Sequence, residues 1–280
     1  MTVAHSYSAI SAVQVAVLPI ISLLAAAQDK KEIQYTVGPK TIISATNNYG
    51  SITVKPSPNN QVLVTTVSYS DAVTFENEQH GNRINLRANS TQQKSSLVDY
   101  IVVVPANSFV ILRSSAGNLH AQGLRGDVVL ECAAGRVEAT DISDAHLHVR
   151  TLSGQIRLTD IRDSHVDIHS LSGNVAIHNV SGLSLQVNSM SGRITYEGDP
   201  GTAGEYLLRT DSGDLEVSIP ASARVEIDAH SWKGESDHGF PSTGSVTTPG
   251  PRSSLLKPGI ARASRFVLRS FRGSIQVKRP

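Results

Sequence analysis

The sequence has 280 residues, of which 39% are hydrophobic and 18% charged, a composition typical of a globular chain rather than a disordered one. Aromatic residues make up only 5%, which argues against a nucleic-acid binder built on stacking platforms, and the formal net charge of +1 gives no global field that would select a charged partner. The single cysteine, Cys132, excludes an internal disulfide and a cysteine-built zinc or iron–sulfur site.

The N-terminal segment is typical of a secretory signal peptide. Residues 1–27 contain no Asp, Glu, Lys or Arg, and an apolar stretch over 9–27 ends on the small residues Ala25 and Ala27. We expect cleavage after Ala27 and export to the periplasm, the cell surface or the medium. The alternative is a retained anchor, but polar residues and a proline interrupt a stretch that would need about 20 apolar residues to span a membrane.

Residues 28–113 are rich in strand-like segments of irregular length. QVLVTTVSY (61–69) and FVILRS (109–114) show the alternating or continuous apolar pattern of strands. Val110 and Leu112 lie 18 residues before Val128 and Leu130, so the phase of the repeat that follows already holds there. We therefore expect this region to form irregular N-terminal coils that cap one continuous structure.

A short phrase of small polar residues, glycine, any residue and a branched apolar residue recurs through residues 114–236. The spacings between its glycines are 18, 19, 19, 19 and 21 residues. Weaker copies occur at 47–52 and 231–236, and a last one at 270–275. The glycines of the regular copies are Gly117, Gly135, Gly154, Gly173, Gly192 and Gly213.

The apolar residues of each copy keep the same phase and alternate with polar ones, which predicts two half-buried strands per copy. We predict an all-β fold, a right-handed single-stranded β-solenoid with coils of about 19–21 residues that places Ile156 beside Val137 and Val175. The alternative, a sandwich of hairpins, does not require a constant period. Leu152, Leu171 and Met190 are counted among the apolar residues that keep the phase.

Two features of the repeated turn carry predictions of their own. The recurring glycine suits a tight corner that requires a positive φ. Serines directly precede four of the glycines and are expected to stack as a ladder of hydroxyl groups: Ser153, Ser172, Ser191 and Ser212.

The C-terminal region interrupts the repeat and then resumes it. Residues 237–259 are rich in Pro, Gly, Ser and Thr, which predicts a long flexible insertion, and 260–280 are expected to form the final coil. Residues 238–280 contain eight Lys and Arg and no acid. Such a basic end could contact anionic lipid or polysaccharide, but we interpret it as a surface that offsets the acidic remainder.

Several phrases together resemble a bacterial family of exported β-strand-repeat domains of unknown function, described as "putative adhesin". They are NNYGSITV (47–54), DYIVVVPANSFVILRSSAGNLHA (99–121) and GDLEVSIPASARVEI (213–227), and the resemblance covers about residues 33–280. It implies the repeat fold and an exported protein without catalytic residues.

The most specific cluster of candidate metal ligands is a doublet, DISDAH (141–146) and DIRDSH (160–165), whose two copies are 19 residues apart. In a solenoid the four aspartates would meet at one corner beside His146 and His165, a set that could hold a metal. The alternative is that the aspartates serve tight turns, because Asn and Gly occupy matching positions in neighbouring coils. We predict turns and no metal, with Arg162 neutralising part of the charge. The aspartates are Asp141, Asp144, Asp160 and Asp163.

The function that follows is a non-enzymatic exported scaffold that binds an envelope or surface component, either protein or polysaccharide, and no nucleic acid. No catalytic, cofactor-binding or metal-binding residue is predicted, since outward positions such as Glu138, Arg157, Ala176 and Thr195 form no acidic or basic stripe. The alternative is a carbohydrate-active β-helix enzyme that uses acids near the 141–165 corner. That enzyme would also need an exposed aromatic platform, for which the 190–232 region offers Tyr196, Tyr206 and Trp232.

Overall fold

A computed structural model describes residues 29–69, 73–90, 97–238, 253–255 and 263–279. The described residues form no helix, so none of them makes a helix that could cross a membrane. They form 24 strands: β1 (Asp29–Thr36), β2 (Ile42–Asn47), β3 (Ile52–Ser57), β4 (Gln61–Ser68), β5 (Val73–His80), β6 (Arg83–Ser90), β7 (Val98–Pro105), β8 (Phe109–Ser114), β9 (Leu119–Gln122), β10 (Val128–Cys132), β11 (Val137–Ser143), β12 (His146–Thr151), β13 (Ile156–Arg162), β14 (His165–Ser172), β15 (Val175–Val180), β16 (Ser184–Ser191), β17 (Ile194–Glu197), β18 (Glu205–Thr210), β19 (Leu215–Ser218), β20 (Val225–Ser231), β21 (Ser236–His238), β22 (Ser253–Leu255), β23 (Ser264–Ser270) and β24 (Ile275–Lys278).

The strands build two sheets of 12 strands, and from β8 to β19 successive strands alternate between them. Sheet 1 has the order β1-β4-β7-β3-β9-β11-β13-β15-β17-β19-β24-β21. Sheet 2 has the order β22-β20-β23-β18-β16-β14-β12-β10-β8-β2-β6-β5. Strands from neighbouring coils pair in parallel, as β10 does with β12 and β11 with β13. The fold is therefore all-β and solenoid-like, with each regular coil giving one strand to each sheet.

The register confirms the predicted stacking of equivalent positions. Ile156 lies between Val137 and Val175, and the three side chains are at most 1% exposed. Inward residues of both sheets alternate with outward ones along each strand, so the core is a narrow apolar layer between the sheets. Each buried Val, Leu or Ile contributes about 1.5–3 kcal/mol to stability, which makes this repeated row the main source of stability.

A row of glycines stacks from coil to coil where the chain leaves sheet 2 for sheet 1. A Cβ built on Gly154 would overlap the carbonyl oxygen of Gly135, and the same relation holds along the row. The prediction that these glycines need a positive φ was wrong for most of them: in this row only Gly50, at 95°, and Gly192, at 133°, have one. Glycine is needed because neighbouring backbones approach closely. In spatial order the row is Gly50, Gly117, Gly135, Gly154, Gly173, Gly192, Gly213, Gly273 and Gly234.

The serines that precede these glycines form the predicted ladder. Each hydroxyl donates a hydrogen bond to a backbone carbonyl of the neighbouring coil, as Ser153 does to Ala133 at 3.3 Å and Ser172 to Leu152 at 3.2 Å. Ser191 and Ser212 repeat this bond at 3.4 and 3.2 Å. These bonds tie the turns of successive coils together on the outer side of the glycine row.

At both ends of the stack the order of coils in space differs from their order in the chain. The β2–β3 coil lies between the β6–β7 and β8–β9 coils, and the β23–β24 coil lies between β18–β19 and β20–β21. The last coil of the chain is thus not the last coil of the stack. Antiparallel pairing ends the parallel sheets, through β1 and β4 on β7, β5 on β6, and β22 on β20. Of residues 237–259, the structure describes only 237–238, in β21, and 253–255, in β22.

Three aromatic side chains fill the core near the C-terminal end. The ring of Tyr206 stacks on Phe266 at 4.5 Å between centroids, and Tyr196 packs edge-on against both. The Tyr196 hydroxyl donates to the Val180 carbonyl at 2.8 Å and that of Tyr206 to the Pro200 carbonyl at 2.7 Å. Both tyrosines are 1% exposed, so neither can serve as the aromatic platform that the enzyme alternative would need.

The buried tyrosines predict a loss of stability in alkali. Burial raises the pKa of Tyr206 to about 12 from 10.0, and it also raises the pKa of Tyr100 and Tyr196. A group whose pKa is higher in the folded state stabilises the fold below its unfolded pKa and stops doing so as the pH rises through the folded value. We therefore expect the free energy of unfolding to fall between pH 10 and pH 12, by on the order of 2 kcal/mol for Tyr206 alone. Urea titrations across this range measure it.

Tyr100 provides the matched test, because its hydroxyl is buried without a hydrogen-bond partner among the described residues. Tyr100→Phe is expected to raise stability at neutral pH by about 1 kcal/mol and to reduce the alkaline loss. Tyr196→Phe, which removes a hydroxyl that is bonded, is expected to lower stability by about 1 kcal/mol at neutral pH. Equal effects of the two variants at neutral pH would contradict this assignment.

Candidate ligand-binding groove

A large groove runs along sheet 2 on the described part of the chain, and we call it the sheet 2 groove. It encloses about 1310 Å³ and runs along the stacked coils from Thr46 to Trp232, across strands β2, β8, β10, β12, β14, β16, β18, β23 and β20. Eight strand spacings of about 4.8 Å make the groove roughly 38 Å long. It is therefore a long open trough rather than a compact pocket.

Three consecutive positions at the end of each sheet 2 strand build the groove. The outward residue forms a polar wall: Arg113, Glu131, Arg150, His169, Asn188, Arg209 and Arg269. The next residue is buried and forms a floor of small polar groups: Ser114, Cys132, Thr151, Ser170, Ser189, Thr210 and Ser270. The third residue forms a lip that is mostly apolar: Ser115, Ala133, Leu152, Leu171, Met190, Asp211, Phe271 and Trp232.

The lip corrects an expectation from the sequence. Leu152, Leu171 and Met190 keep the phase of the repeat but point outward, with exposures of 59%, 45% and 58%. They directly follow the buried floor residue, so the alternation of the strand turns them away from the core. Phe271 and Trp232 continue the lip at 37% and 47% exposure. An exposed row of large apolar side chains is typical of a surface that binds another molecule.

The charges of the polar wall fall into two groups. Arg113 pairs with Glu131 at 2.7 Å, and Arg269 with Asp228 at 2.6 Å. Arg150 and Arg209 have neither an ion pair nor a side-chain hydrogen bond among the described residues. They lie three strand spacings apart, about 14 Å, with His169 and Asn188 in register between them. The middle of the groove thus presents two free guanidinium groups.

The floor is also different in the middle of the groove. Elsewhere the strand ends at the floor residue, whose side chain accepts a hydrogen bond from the glycine N–H three residues on, as in Thr151 with Gly154 at 2.8 Å. Strands β14 and β16 run two residues further. Ser170 as a residue is 8% exposed. Its hydroxyl oxygen is buried and has no hydrogen-bond partner among the described residues.

The free hydroxyl of Ser170 predicts an unusual response to truncation. Ser170→Ala is expected to leave the free energy of unfolding unchanged or raise it by up to about 1 kcal/mol, because no bond is lost. Ser270 is the matched control, since its hydroxyl accepts from Gly273 at 2.9 Å and donates to Gly213 at 3.2 Å. Ser270→Ala is expected to cost about 1–2 kcal/mol in urea unfolding. An equal cost at both positions would show that the Ser170 hydroxyl forms a hydrogen bond in solution.

The aspartate doublet lies outside the groove, where the chain passes from sheet 1 to sheet 2: Asp141 and Asp160 lie near the ends of β11 and β13, and Asp144 and Asp163 lie in the turns that follow. Its members have left-handed backbones, with φ of 53°, 52°, 55° and 50° for Asp141, Asp144, Asp160 and Asp163. Asp and Asn tolerate this conformation better than other residues, and Asn179 and Gly123 adopt it at equivalent positions. The left-handed backbone that the sequence predicted for the repeated glycines is therefore found at these positions, at the ends of the sheet 1 strands and in the turns after them.

Side-chain partners further support a turn role for the doublet. Arg162 donates to Asp141 at 2.7 Å, as the sequence suggested, and Asn179 donates to Asp160 at 3.1 Å. The rings of His146 and His165 stack at 5.0 Å, and His146 contacts Asp127. Among the described residues no group of three or more His, Cys, Asp or Glu is placed to hold a metal ion. That these aspartates serve turns rather than a metal stays a prediction.

A second, smaller cleft of about 240 Å³ lies on the outer face of sheet 1. Arg136, Arg157 and Arg193 surround it at positions that the sequence predicted to face outward. Arg136 and Arg193 lie 3.7 and 3.8 Å from carboxylates, whereas Arg157 has no ion pair among the described residues. The cleft is short, which leaves the sheet 2 groove as the main candidate for a binding surface.

Comparison with known proteins agrees with the fold. Among solved structures, similar ones are a "putative adhesin" from Bacteroides fragilis (11% identity, 90% of this chain and 99% of that chain, TM-score 0.55) and a "putative cell adhesion protein" from Clostridium sporogenes (13%, 90% and 100%, TM-score 0.33). A "putative lipid binding protein" from Parabacteroides distasonis also matches (10%, 89% and 97%, TM-score 0.42). No curated protein matches. The sequence matches the family described as Toastrack DUF4097 over residues 41–249, and the chain therefore belongs to that bacterial β-repeat family of adhesin-like proteins.

Proposed function

We propose that this protein is an exported, non-enzymatic scaffold that binds a component of the cell envelope or cell surface along the sheet 2 groove. The observation that carries the proposal is the lip of exposed Leu, Met, Phe and Trp side chains beside a row of arginines, repeated over successive coils. Stacked coils give an extended contact surface without a deep pocket. The name of the Bacteroides fragilis structure, an adhesin, agrees with such a role.

The arrangement of carboxylates favours binding over catalysis. Glycoside hydrolysis needs two carboxyl groups no more than about 9.5 Å apart. The acids of the groove, Glu131 and Asp211, belong to coils four strand spacings apart, about 19 Å, and Glu131 is held by Arg113. At the 141–165 corner, Asp141 is paired with Arg162 and the aromatic rings nearby are histidines. The groove therefore supports a scaffold rather than the enzyme alternative.

The proposal includes the compartment and the organisation of the chain. Residues 1–27 act as a signal peptide, which lies outside the described residues, and 28–280 form one domain whose coils wind in the right-handed sense that parallel crossover connections favour. Residues 28–113 supply the N-terminal coils and cap, 114–236 the regular repeats, 237–259 the insertion, most of which lies outside the described residues, and 260–280 the last coil in sequence. Support for a single domain comes from the continuous pairing from β1 to β21.

Co-sedimentation with the envelope fraction of the source cells tests the proposal. The chain from residue 28 onward is expected to bind saturably and to leave the envelope polymers unshortened in size-exclusion chromatography. Leu171→Glu places a charge on the exposed lip and is expected to reduce retention strongly. Ala176→Glu places the same charge on the outer face of sheet 1, beside Arg157, and is expected to bind as the wild type does.

Two results would contradict the proposal. Absence of saturable retention would exclude an envelope-binding scaffold, and equal loss of retention in both variants would show that the groove is not the surface used. Shortening of a polysaccharide that disappears in Asp160→Ala would establish the enzyme alternative instead.

A further inference from the structure

The chemistry of the sheet 2 groove indicates which chemical class of molecule can bind in it. Among the described residues, Arg150 and Arg209 are the wall arginines without a partner, and a free guanidinium group binds carboxylates and other oxyanions through paired N–H donors. At the C-terminal end, Lys233 lies 4.9 Å from the ring of Phe271, so cations also flank the aromatic part of the lip. The paired arginines, Arg113 and Arg269, add no free charge. The acid on the lip, Asp211, offsets only one of the positive charges of Arg150, Arg209 and Lys233. Charge complementarity therefore calls for an anionic occupant.

The backbone of the groove argues against an extended peptide. Peptides that lie along a sheet gain affinity by pairing their N–H and C=O groups with a free strand edge. The strands cross the groove rather than run along it, and their backbone groups are used in pairing with neighbouring coils, as in β14 with β12 and β16. The N–H and C=O groups of a bound peptide could therefore hydrogen-bond only to side chains of the groove.

The wall of the groove argues against an acyl chain. Most of the exposed surface of the groove is apolar, but charged and amide side chains follow its wall along most of its length. An acyl chain laid in the trough would bury polar groups that it cannot hydrogen-bond, at a cost for each one.

We propose that the sheet 2 groove binds an extended acidic polysaccharide, with Arg150 and Arg209 on its carboxylates, Asn188 on its hydroxyl groups, and the apolar lip against the flat faces of its rings. This inference rests on the proposed function and names its ligand class. Sugar rings have one apolar face that packs on Trp and Phe and an edge rich in hydroxyl groups, which matches a groove with one apolar and one polar side.

Fluorescence of Trp232 reports binding directly, because it is the single tryptophan and lies on the lip. Titration of the chain from residue 28 onward with polygalacturonate is expected to change its emission saturably, and dextran, a neutral glucan, is expected to have no effect. Raising NaCl from about 0.05 M to about 0.5 M is expected to weaken binding, since screening acts on exposed charges.

Variants of the groove separate specific from general electrostatic binding. Arg150→Gln and Arg209→Gln are each expected to weaken polygalacturonate binding by about tenfold, the loss of one charge-assisted hydrogen bond. Arg157→Gln removes the same charge from the opposite sheet and is expected to leave affinity unchanged. Ser170→Ala is also expected to leave affinity unchanged, because the Ser170 hydroxyl is buried beneath the groove.

The outcomes distinguish this inference from the proposed function. If envelope retention depends on Leu171 but polygalacturonate neither binds nor competes, the polysaccharide assignment is wrong and the scaffold stands. If phosphatidylglycerol vesicles bind more tightly than polygalacturonate, the occupant is a lipid and the inference is overturned. If Arg157→Gln weakens binding as much as Arg150→Gln does, the attraction is nonspecific and the groove is not the site.

Discussion

Ile168→Asp is expected to destabilise the protein by about 3–5 kcal/mol or to prevent folding, because it buries an unpaired charge in a narrow apolar core. Ile168 is 0% exposed and lies in register between Val149 and Val187, so the carboxylate would meet only aliphatic neighbours in the adjacent coils. Urea unfolding followed by circular dichroism measures the loss.

Ala176→Asp is the control for this prediction. It introduces the same charge on an outward position, opposite Arg157 in the neighbouring strand, and is expected to change stability by less than about 0.5 kcal/mol. A small effect of Ile168→Asp, comparable to that of the control, would mean that Ile168 is not in a closed core.

Gly154→Ala is expected to cost about 3 kcal/mol, through overlap of the added methyl group with the carbonyl oxygen of Gly135. Both partners of the clash are backbone of stacked coils, so relief requires two coils to separate, and the loss of their pairing adds to the cost. Thermal or urea unfolding gives the value.

Gly81→Ala distinguishes the cost of close approach between backbones of stacked coils from the cost of a positive φ. Gly81 has a φ of 60° but open space around its missing Cβ, so alanine there should cost only about 1–2 kcal/mol of conformational strain. If Gly81→Ala costs as much as Gly154→Ala, close approach of the coils does not explain the glycine row.

The sequence was sufficient to predict the stacking of coils, because one period governs both the glycines and the buried apolar residues. The match of Ile156 with Val137 and Val175 follows from that period alone. Periodicity does not show which coils are neighbours at the ends of the stack. The coil that contains Leu268 is stacked between the coil of Leu208, which is 60 residues earlier in the chain, and the β20–β21 coil. This order is set by tertiary pairing.

The groove could have been found from the sequence by following strand alternation to its end. In the segment that contains Ile168, Ser170 and Leu171, alternation places Ile168 and Ser170 inward and Leu171 outward. Leu171 keeps the phase of the repeat and was therefore grouped with the core residues. For this reason the exposed row of the lip was not recognised from the sequence. The free state of Arg150 and Ser170 could not be predicted, because it depends on which neighbours bond across coils.

Oxidation of Met190 tests the central claim, that the sheet 2 groove is the binding surface, without any mutation. The sequence has two methionines, and Met190 lies 58% exposed on the lip, where hydrogen peroxide can convert it to the sulfoxide. Mass spectrometry of the Met190 peptide gives the oxidation rate for the free chain and for the chain bound to envelope material. We predict a several-fold slower rate in the bound chain. An unchanged rate at saturating binding would show that the ligand occupies another face.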